Sequence, residues 1–253
     1  MPEGDTIFRA AATLNRALSG SIVTKFETQL PALAREDIVG RRIEFARATG
    51  KWLQIGFSGD LVLLTHMLMS GSWHIYRPGE RWQKSRYHMR VVIETGSIVA
   101  VAFNVPIAEF HTAKSLARRH GLHQLGPDIL APDFDESGAV ENLKNHPEVE
   151  IGVALLDQSI LAGIGNMFKS EACFLAEVNP FEPIANLSTL RLAGVVSAAR
   201  RIMVESVTSA RGQLWVYRRQ GEPCRKCGQP IESRKQGSDA RTSFWCPDCQ
   251  RMK

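Results

Sequence analysis

The chain opens Met1-Pro2-Glu3-Gly4-Asp5 and closes on a segment holding Cys224, Cys227, Cys246 and Cys249. Once Met1 is removed, Pro2 becomes a free secondary amine. Such an amine can attack an electrophilic carbon and form an iminium, as lysines do in Schiff-base enzymes. The carboxylate of Glu3 beside it can move the protons this requires. The cysteines form two C-x2-C knuckles separated by 18 residues, the spacing that places four thiolates tetrahedrally around one Zn2+. Four thiolates leave no open coordination position, so this metal is structural. Cys173, between Ala172 and Phe174 in a helical pattern, reads as a core thiol.

A third feature is Ala162-Gly163-Ile164-Gly165-Asn166, ahead of an amphipathic stretch. Glycines permit close backbone approach, and Asn166 suits an N-cap. Amide groups at such a helix start can bind a phosphate oxygen; a plain glycine turn between two helices explains the same residues.

The elements that must position these groups follow from periodicity. Residues 3–18 repeat apolar positions at helical spacing up to Gly20. Strand-like runs follow at 22–27, 41–48, 52–57, 61–64, 72–76, 88–94 and 97–103, split by turn signals such as Ser58-Gly59-Asp60. One helix followed by many short antiparallel strands predicts a β-sandwich. Residues 126–134 read as a hinge. Helical periodicity then covers 136–145, 150–157, 166–177 and 188–208. The fold class is therefore α+β in two domains. Its boundaries are a sandwich over 1–125, the hinge, a helical domain over 135–217 and a metal module over 218–253.

With 253 residues, 44% hydrophobic, the chain can bury an ordinary core. No apolar run reaches membrane-spanning length, and Asp5 and Arg9 interrupt any leader-like pattern. Cysteines at metal spacing fit a reducing compartment, so the expectation is a cytoplasmic, bacterial-type intracellular protein, with no membrane partner. The net charge of +5 lies in the tail: residues 218–253 carry nine Lys or Arg and four Asp or Glu, leaving 22 of each sign elsewhere. A basic metal module suggests a polyanion partner such as nucleic acid, although a solvated surface gives the same count.

Seven stretches then occur in order: Met1-Pro2-Glu3-Gly4, Gly50-Lys51-Trp52, Leu125-Gly126-Pro127-Asp128, Leu155-Leu156-Asp157-Gln158, Ala162–Asn166, Gly221-Glu222-Pro223-Cys224 and Arg241–Cys246. Together they resemble the formamidopyrimidine-DNA glycosylase / endonuclease VIII family of base-excision repair enzymes, over essentially the whole chain. The resemblance implies a helix–two-turn–helix beside a four-cysteine zinc finger. It also implies damaged double-stranded DNA as partner, bound by a monomer between the two domains, with the lesion flipped out. Pro2 is then the nucleophile at the sugar C1′. An unperturbed α-amine titrates at about 7.7–8.0, and the positive end of the first helix favours its neutral form. Glu3 becomes the general acid/base, and β,δ-elimination follows. Lys51 corresponds to a lysine that contacts a phosphate of the lesion nucleotide, and Asn166 and Arg241 to residues that grip the phosphates flanking it; Lys51 and Arg241 thereby count among the catalytic residues with Pro2 and Glu3. Met69, assisted by Leu68, corresponds to the wedge that fills the gap left by the flipped base. Core packing of Met67, Leu68 and Met69 is the plainer alternative, as a solvated charge is for Arg241.

The chain departs from the family pattern in two places. Thr6 stands where many members have Glu, and 103–110 lacks an evident Arg and Phe pair to probe the opposite base. The segment 209–223, with Trp215-Val216-Tyr217, is short and resembles the endonuclease VIII branch, which implies oxidised pyrimidines as substrates. Two alternatives remain: the same fold acting on oxidised purines, and a non-catalytic zinc-finger DNA-binding protein.

Overall fold

The computed structural model describes residues 2–209 and 212–252. Met1, whose removal the terminal chemistry needs, and Ala210 and Arg211, within the short segment that suggested the substrate branch, lie outside the described residues. The chain divides into two compact units, Met1–His123 and Gln124–Lys253.

The first unit begins with α1 (Gly4–Leu18). Eight strands follow: β1 (Lys25–Thr28), β2 (Ile43–Thr49), β3 (Trp52–Phe57), β4 (Leu61–His66), β5 (Ser72–Tyr76), β6 (Met89–Glu94), β7 (Val99–Phe103) and β8 (Ile107–His111). They form two antiparallel sheets, ordered β1-β6-β7-β5 and β2-β3-β4-β8. On α1, Ile7, Ala11, Leu14 and Leu18 make one buried stripe. That stripe shares a core with Ile55 and Leu63 of one sheet and Ile93 and Ala100 of the other. Strand β7 shows the two-residue period of a sheet buried on both faces. Ala100 and Ala102 enter this core, while Val99, Val101 and Phe103 join Tyr76 and Met89 in a second cluster.

Two sequence expectations shift here. The strand expected from Ile22 begins at Lys25, and Ile22 keeps only an isolated bridge to Arg42. The segment after Phe103, to which the sequence assigns no strand, contains the edge strand β8, paired to β4 from Val62↔His111 to His66↔Ile107. Only Ala108 is buried in β8, so it offers no apolar alternation to read. A one-turn helix, α2 (Ala113–Leu116), follows behind a Thr112–Ser115 capping box.

The second unit contains α3 (Glu136–Lys144), α4 (Ile151–Ala154), α5 (Asn166–Leu175) and α6 (Thr189–Thr208), then the hairpin β9 (Glu232–Gln236) and β10 (Arg241–Trp245). Leu143, Phe168, Ala172, Val195 and Ala199 share its main core. A smaller cluster joins Phe174 to Val216, Ile231, Cys224 and Cys246, giving the cysteine module an apolar seat on α5. The helix expected over 150–157 shrinks to α4. The N–H groups of Ile151 and Gly152 donate to Glu182 O (2.9 Å) and Pro180 O (2.8 Å), and Asp157 Oδ1 accepts from Ser159 N at 2.8 Å, which turns the chain. Residues of the expected hinge bond within this unit: Gly126 N to Gln158 O (2.9 Å) and Ile129 N to Ala162 O (3.1 Å). No helix among the described residues is long and apolar enough to cross a membrane.

Candidate active site and nucleic-acid interface

In the first unit, Glu3 occupies the N-cap of α1 in extended conformation, its O accepting from Thr6 N (2.9 Å) and Ile7 N (3.1 Å). Its side chain is buried, and Pro2 before it is half-buried. Asp5 is fully buried and takes hydrogen bonds from Arg9 and from Thr6, at 3.2 Å each. Thr6, which replaces the carboxylate common in the family, therefore acts here as a donor to Asp5.

Lys51 stands in the two-residue turn between β2 and β3, after Gly50 at φ +56°. Two anchors set how α1 lies against β2: Ser19 Oγ donates to Glu44 O at 2.9 Å, and Asn15 Oδ1 accepts from Ala46 N at 2.8 Å. Helix and strand thus run in opposite directions. From Asn15 back to Glu3 is about 18 Å of helix, and from Ala46 on to Lys51 is about 17 Å of strand. Glu3 and Lys51 therefore lie toward the same end of this layer.

The loop 67–71 follows β4. Met67 is buried, whereas Leu68 and Met69 are 44% and 62% exposed, so the core alternative holds for Met67 alone. Gly71 N donates to Met67 O at 2.8 Å, and a Cβ at Gly71 would lie 2.5 Å from that oxygen, so only glycine closes the loop this tightly. Leu68, at φ +44°, donates its N–H to His66 Nδ1 at 3.0 Å. Burial, helped by the charges of Lys51 and Arg119, pushes the His66 pKa down to about 4. His66 meets the Trp52 ring edge-on at 4.7 Å. The Arg119 guanidinium lies 4.9 Å over the Trp52 ring and clamps Glu109 at 2.8 and 2.9 Å. The Arg119 guanidinium, with burial opposing it, holds the Glu109 carboxyl below its usual range.

Sequence reasoning did not single out His66, Glu109 or Arg119. His66 carried a local signal, an imidazole two residues before an exposed turn, while Glu109 and Arg119 meet only through the fold. Phe110 is no surface probe: it packs 5.8 Å from Phe26 and 6.3 Å from Phe57.

In the second unit the N-cap of α5 is Gly165, and Asn166 is the first helical residue. The expected cap at Asn166 is thus corrected by one position. Its amide reaches across instead: Nδ2 donates to Thr242 O at 2.8 Å, while its buried Oδ1 has no hydrogen-bond partner. That bond brings Asn166 beside Arg241, the first residue of β10 and half-buried. Gln158 braces the preceding turn, accepting from Gly163 N (3.0 Å) and donating to Leu156 O and Ile164 O (2.9 and 3.2 Å). Glu171 fixes the chain after α6: its carboxylate accepts from the amides of Trp215 (2.8 Å), Val216 (3.0 Å) and Tyr217 (2.8 Å). Cys173 is buried, and burial pushes its thiol up to about 12, as an inert core cysteine requires.

The ligand atoms of Cys224, Cys227, Cys246 and Cys249 all lie within 4.8 Å of one another. Cys224–Cys249 and Cys227–Cys246 sulfur separations are 3.9 and 3.4 Å. Tetrahedral bonds of ~2.3 Å require edges of about 3.8 Å, so the donor set fits zinc. Lys226 N and Cys249 N donate to Cys224 Sγ (3.4 Å) and Cys246 Sγ (3.5 Å), which suits thiolate ligands. Arg234, on the cysteine-module hairpin, is pinned 3.8 Å over Phe181.

Residues 1–106 match the formamidopyrimidine-DNA glycosylase N-terminal domain, 125–216 the formamidopyrimidine-DNA glycosylase H2TH domain, and 221–251 a zinc finger found in FPG and IleRS. The chain is 38% identical to a probable endonuclease 8 2 of Streptomyces coelicolor, over 99% of this chain and 94% of that protein. It is 34% identical to the DNA-(apurinic or apyrimidinic site) lyase Nei2 of Mycolicibacterium smegmatis, over 99% of each. Identity to endonuclease 8 of Escherichia coli is 30%, over 99% and 100%. The fold matches Lactococcus lactis formamidopyrimidine-DNA glycosylase, solved non-covalently bound to AP-site DNA, with a TM-score of 0.86 at 21% identity, covering 99% of this chain and all of that one.

Proposed function

Since the chain belongs to the formamidopyrimidine-DNA glycosylase / endonuclease VIII family, and is a DNA glycosylase and AP lyase of base-excision repair, we propose that Pro2 is its nucleophile and Glu3 its proton carrier. The observation that carries the reading is the buried Glu3 at the N-cap of α1, next to the residue whose nitrogen becomes the terminal amine.

The Pro2 nitrogen attacks C1′ of the lesion nucleotide, the C1′–base bond breaks, and the proton the amine gives up goes to the departing base. Glu3 protonates the ring oxygen, C1′–O4′ opens, and an iminium links Pro2 to C1′. The iminium acidifies the C2′ proton, whose loss expels the 3′ phosphate; a second elimination expels the 5′ phosphate. Lys51 holds a phosphate from the first unit. In the second, Arg241 and the remaining N–H of the Asn166 amide hold phosphates flanking the lesion. Leu68 and Met69, exposed on their glycine-closed loop, fill the space the flipped base leaves. The four cysteines hold one structural Zn2+. The protein acts as a monomer on damaged duplex DNA.

Oxidised pyrimidines are the proposed substrates. Support comes from the short run between α6 and Cys224, whose 215–217 part is already anchored by Glu171, and from the endonuclease 8 relatives. The test is borohydride trapping on an abasic duplex, with parallel nicking of thymine-glycol and 8-oxoguanine duplexes. The wild-type protein should cross-link, and Pro2→Gly should lower trapping at least ~10³-fold while binding stays within about threefold. Preferential nicking at 8-oxoguanine overturns the substrate choice, and trapping by Pro2→Gly at the wild-type rate overturns the mechanism.

A further inference from the structure

The second unit buries a lysine that the proposed chemistry does not use. Lys169, in the first half of α5, has no solvent exposure. Taking an ammonium out of water is costly unless hydrogen bonds and a counter-charge compensate. An apolar side chain at this helix position would avoid that cost, so the ammonium needs a reason.

Its contacts form a chain across the hairpin. Nζ donates to Ser243 Oγ at 2.6 Å, and that hydroxyl donates to Gln236 Oε1 at 2.5 Å. Gln236 Nε2 donates to Glu150 Oε2 and to Pro180 O, at 2.7 Å each. Hydrogen bonds thus connect the ammonium to a carboxylate through two polar side chains, all in one unit. Gly152 makes room for this: a Cβ there would sit 2.5 Å from Gln236 Oε1 and 2.8 Å from Pro180 O.

The relay sits where zinc cannot act. Gln236 and Arg241 are the paired residues next to the hairpin turn, whereas Cys246 follows the far end of β10. Arg241 is therefore about 17 Å of strand from the metal. At the turn end, hydrogen bonds to α5 take over: Ser243 receives Lys169, and Thr242 receives Asn166. Lys169 and Arg241 also line one cavity of about 240 Å³.

We propose that Lys169 is a positioning residue that sets DNA affinity without touching DNA. Through Ser243 and Gln236 it fixes the turn end of the zinc hairpin on α5, at the spacing at which Arg241 and Asn166 grip phosphates together. This rests on the phosphate-gripping reading of those two residues.

The experiment uses zinc-loaded full-length protein and a duplex carrying a tetrahydrofuran abasic analogue for binding, with a natural abasic site for kinetics. Wild-type binding against that of Arg241→Ala and Asn166→Ala tests the underlying reading first: if neither variant weakens binding or lowers the salt slope, the phosphate grip itself fails, before any relay variant is made. Lys169→Met and Ser243→Ala should each raise Kd and KM about tenfold, with a much smaller fall in kcat at saturating DNA. Each should flatten the salt dependence as Arg241→Ala does. Combined with Arg241→Ala, either should add little, because both act through that contact; a merely structural loss would add in full. Should Lys169→Met not fold, Ser243→Ala decides alone. The proposal is overturned if Ser243→Ala binds within twofold of wild type, if its loss adds fully to that of Arg241→Ala, or if the fall lies in kcat with KM unchanged.

Discussion

Lys51 and Arg241 are both cations proposed to hold phosphate, yet their supports differ in kind. Lys51 rides on a two-residue turn at the start of β3, a strand buried at every residue, within a core shared by two sheets and α1. Arg241 rides on a two-stranded hairpin whose strands carry only three buried residues, Gln236, Ser243 and Trp245. Two of those three are polar. The first cation inherits its place from non-directional apolar packing. The second depends on directional bonds: four cysteines close enough to hold a metal at one end, and the Lys169–Ser243–Gln236 relay with the Asn166 amide at the other. A support made of directional bonds locates a group closely, and it fails when one bond is removed.

Metal removal should break the comparison most sharply. Structural zinc contributes roughly 10–16 kcal/mol in small modules, more than the apolar content of residues 218–252 can replace. Chelation, or Cys246→Ser, should weaken binding to an abasic duplex by about 100-fold or more. Amide exchange should rise across β9 and β10 and stay slow in β3 and β4. Loss of protection in β3 and β4 as well would show that the first unit does not stand on its own core.

A milder change separates the cations themselves. Lys51→Ala and Arg241→Ala should each weaken duplex binding about tenfold and lower the salt slope by about 1. The conservative exchanges should diverge. A point charge on a turn tolerates Lys51→Arg within about threefold, whereas Arg241→Lys loses the planar fork and most of the affinity. Equal tolerance at both positions would mean that the hairpin places its cation no more strictly than the turn does.

The same contrast explains what could be read in the chain. The stripe Ile7, Ala11, Leu14, Leu18 and the strand β3 follow from local periodicity, and the cysteine knuckles from spacing. The Pro2–Glu3 pair needs only its position. What stayed hidden joins residues distant in sequence. Asn166 reads as a cap because its local chemistry suits one, but Thr242 claims its amide. Strand β8 carries Ile107, Ala108 and Phe110 in no two-residue alternation, and exists because β4 offers an edge. Lys169 looks like any helix lysine until Ser243 is folded beside it. Apolar supports and closely spaced cysteines leave a pattern in the sequence; hydrogen-bonded clasps between distant side chains leave none.

The smallest effect concerns pH, and it belongs to the first unit. His66 titrates near 4 in the folded protein against 6.5 unperturbed, because it is buried and faces Lys51 and Arg119. Below pH 6.5 the unfolded chain binds a proton that the folded one refuses, so stability falls as pH drops from 6.5 toward about 4 and levels off beneath. Protonation would also turn Nδ1 from acceptor to donor against the Leu68 N–H, loosening the loop that presents Met69. His66→Asn offers a non-titrating oxygen in the place of Nδ1. Followed by amide exchange in β4, the variant should lose less protection than wild type on going from pH 6.5 to 4.5, by an amount equal to a few degrees of melting temperature. Zinc ligands also take up protons in acid, so the reading must come from β4, where the metal has no part. Parallel acid profiles there would mean that the Leu68 turn is held by its backbone and by Gly71, and that His66 is a passenger.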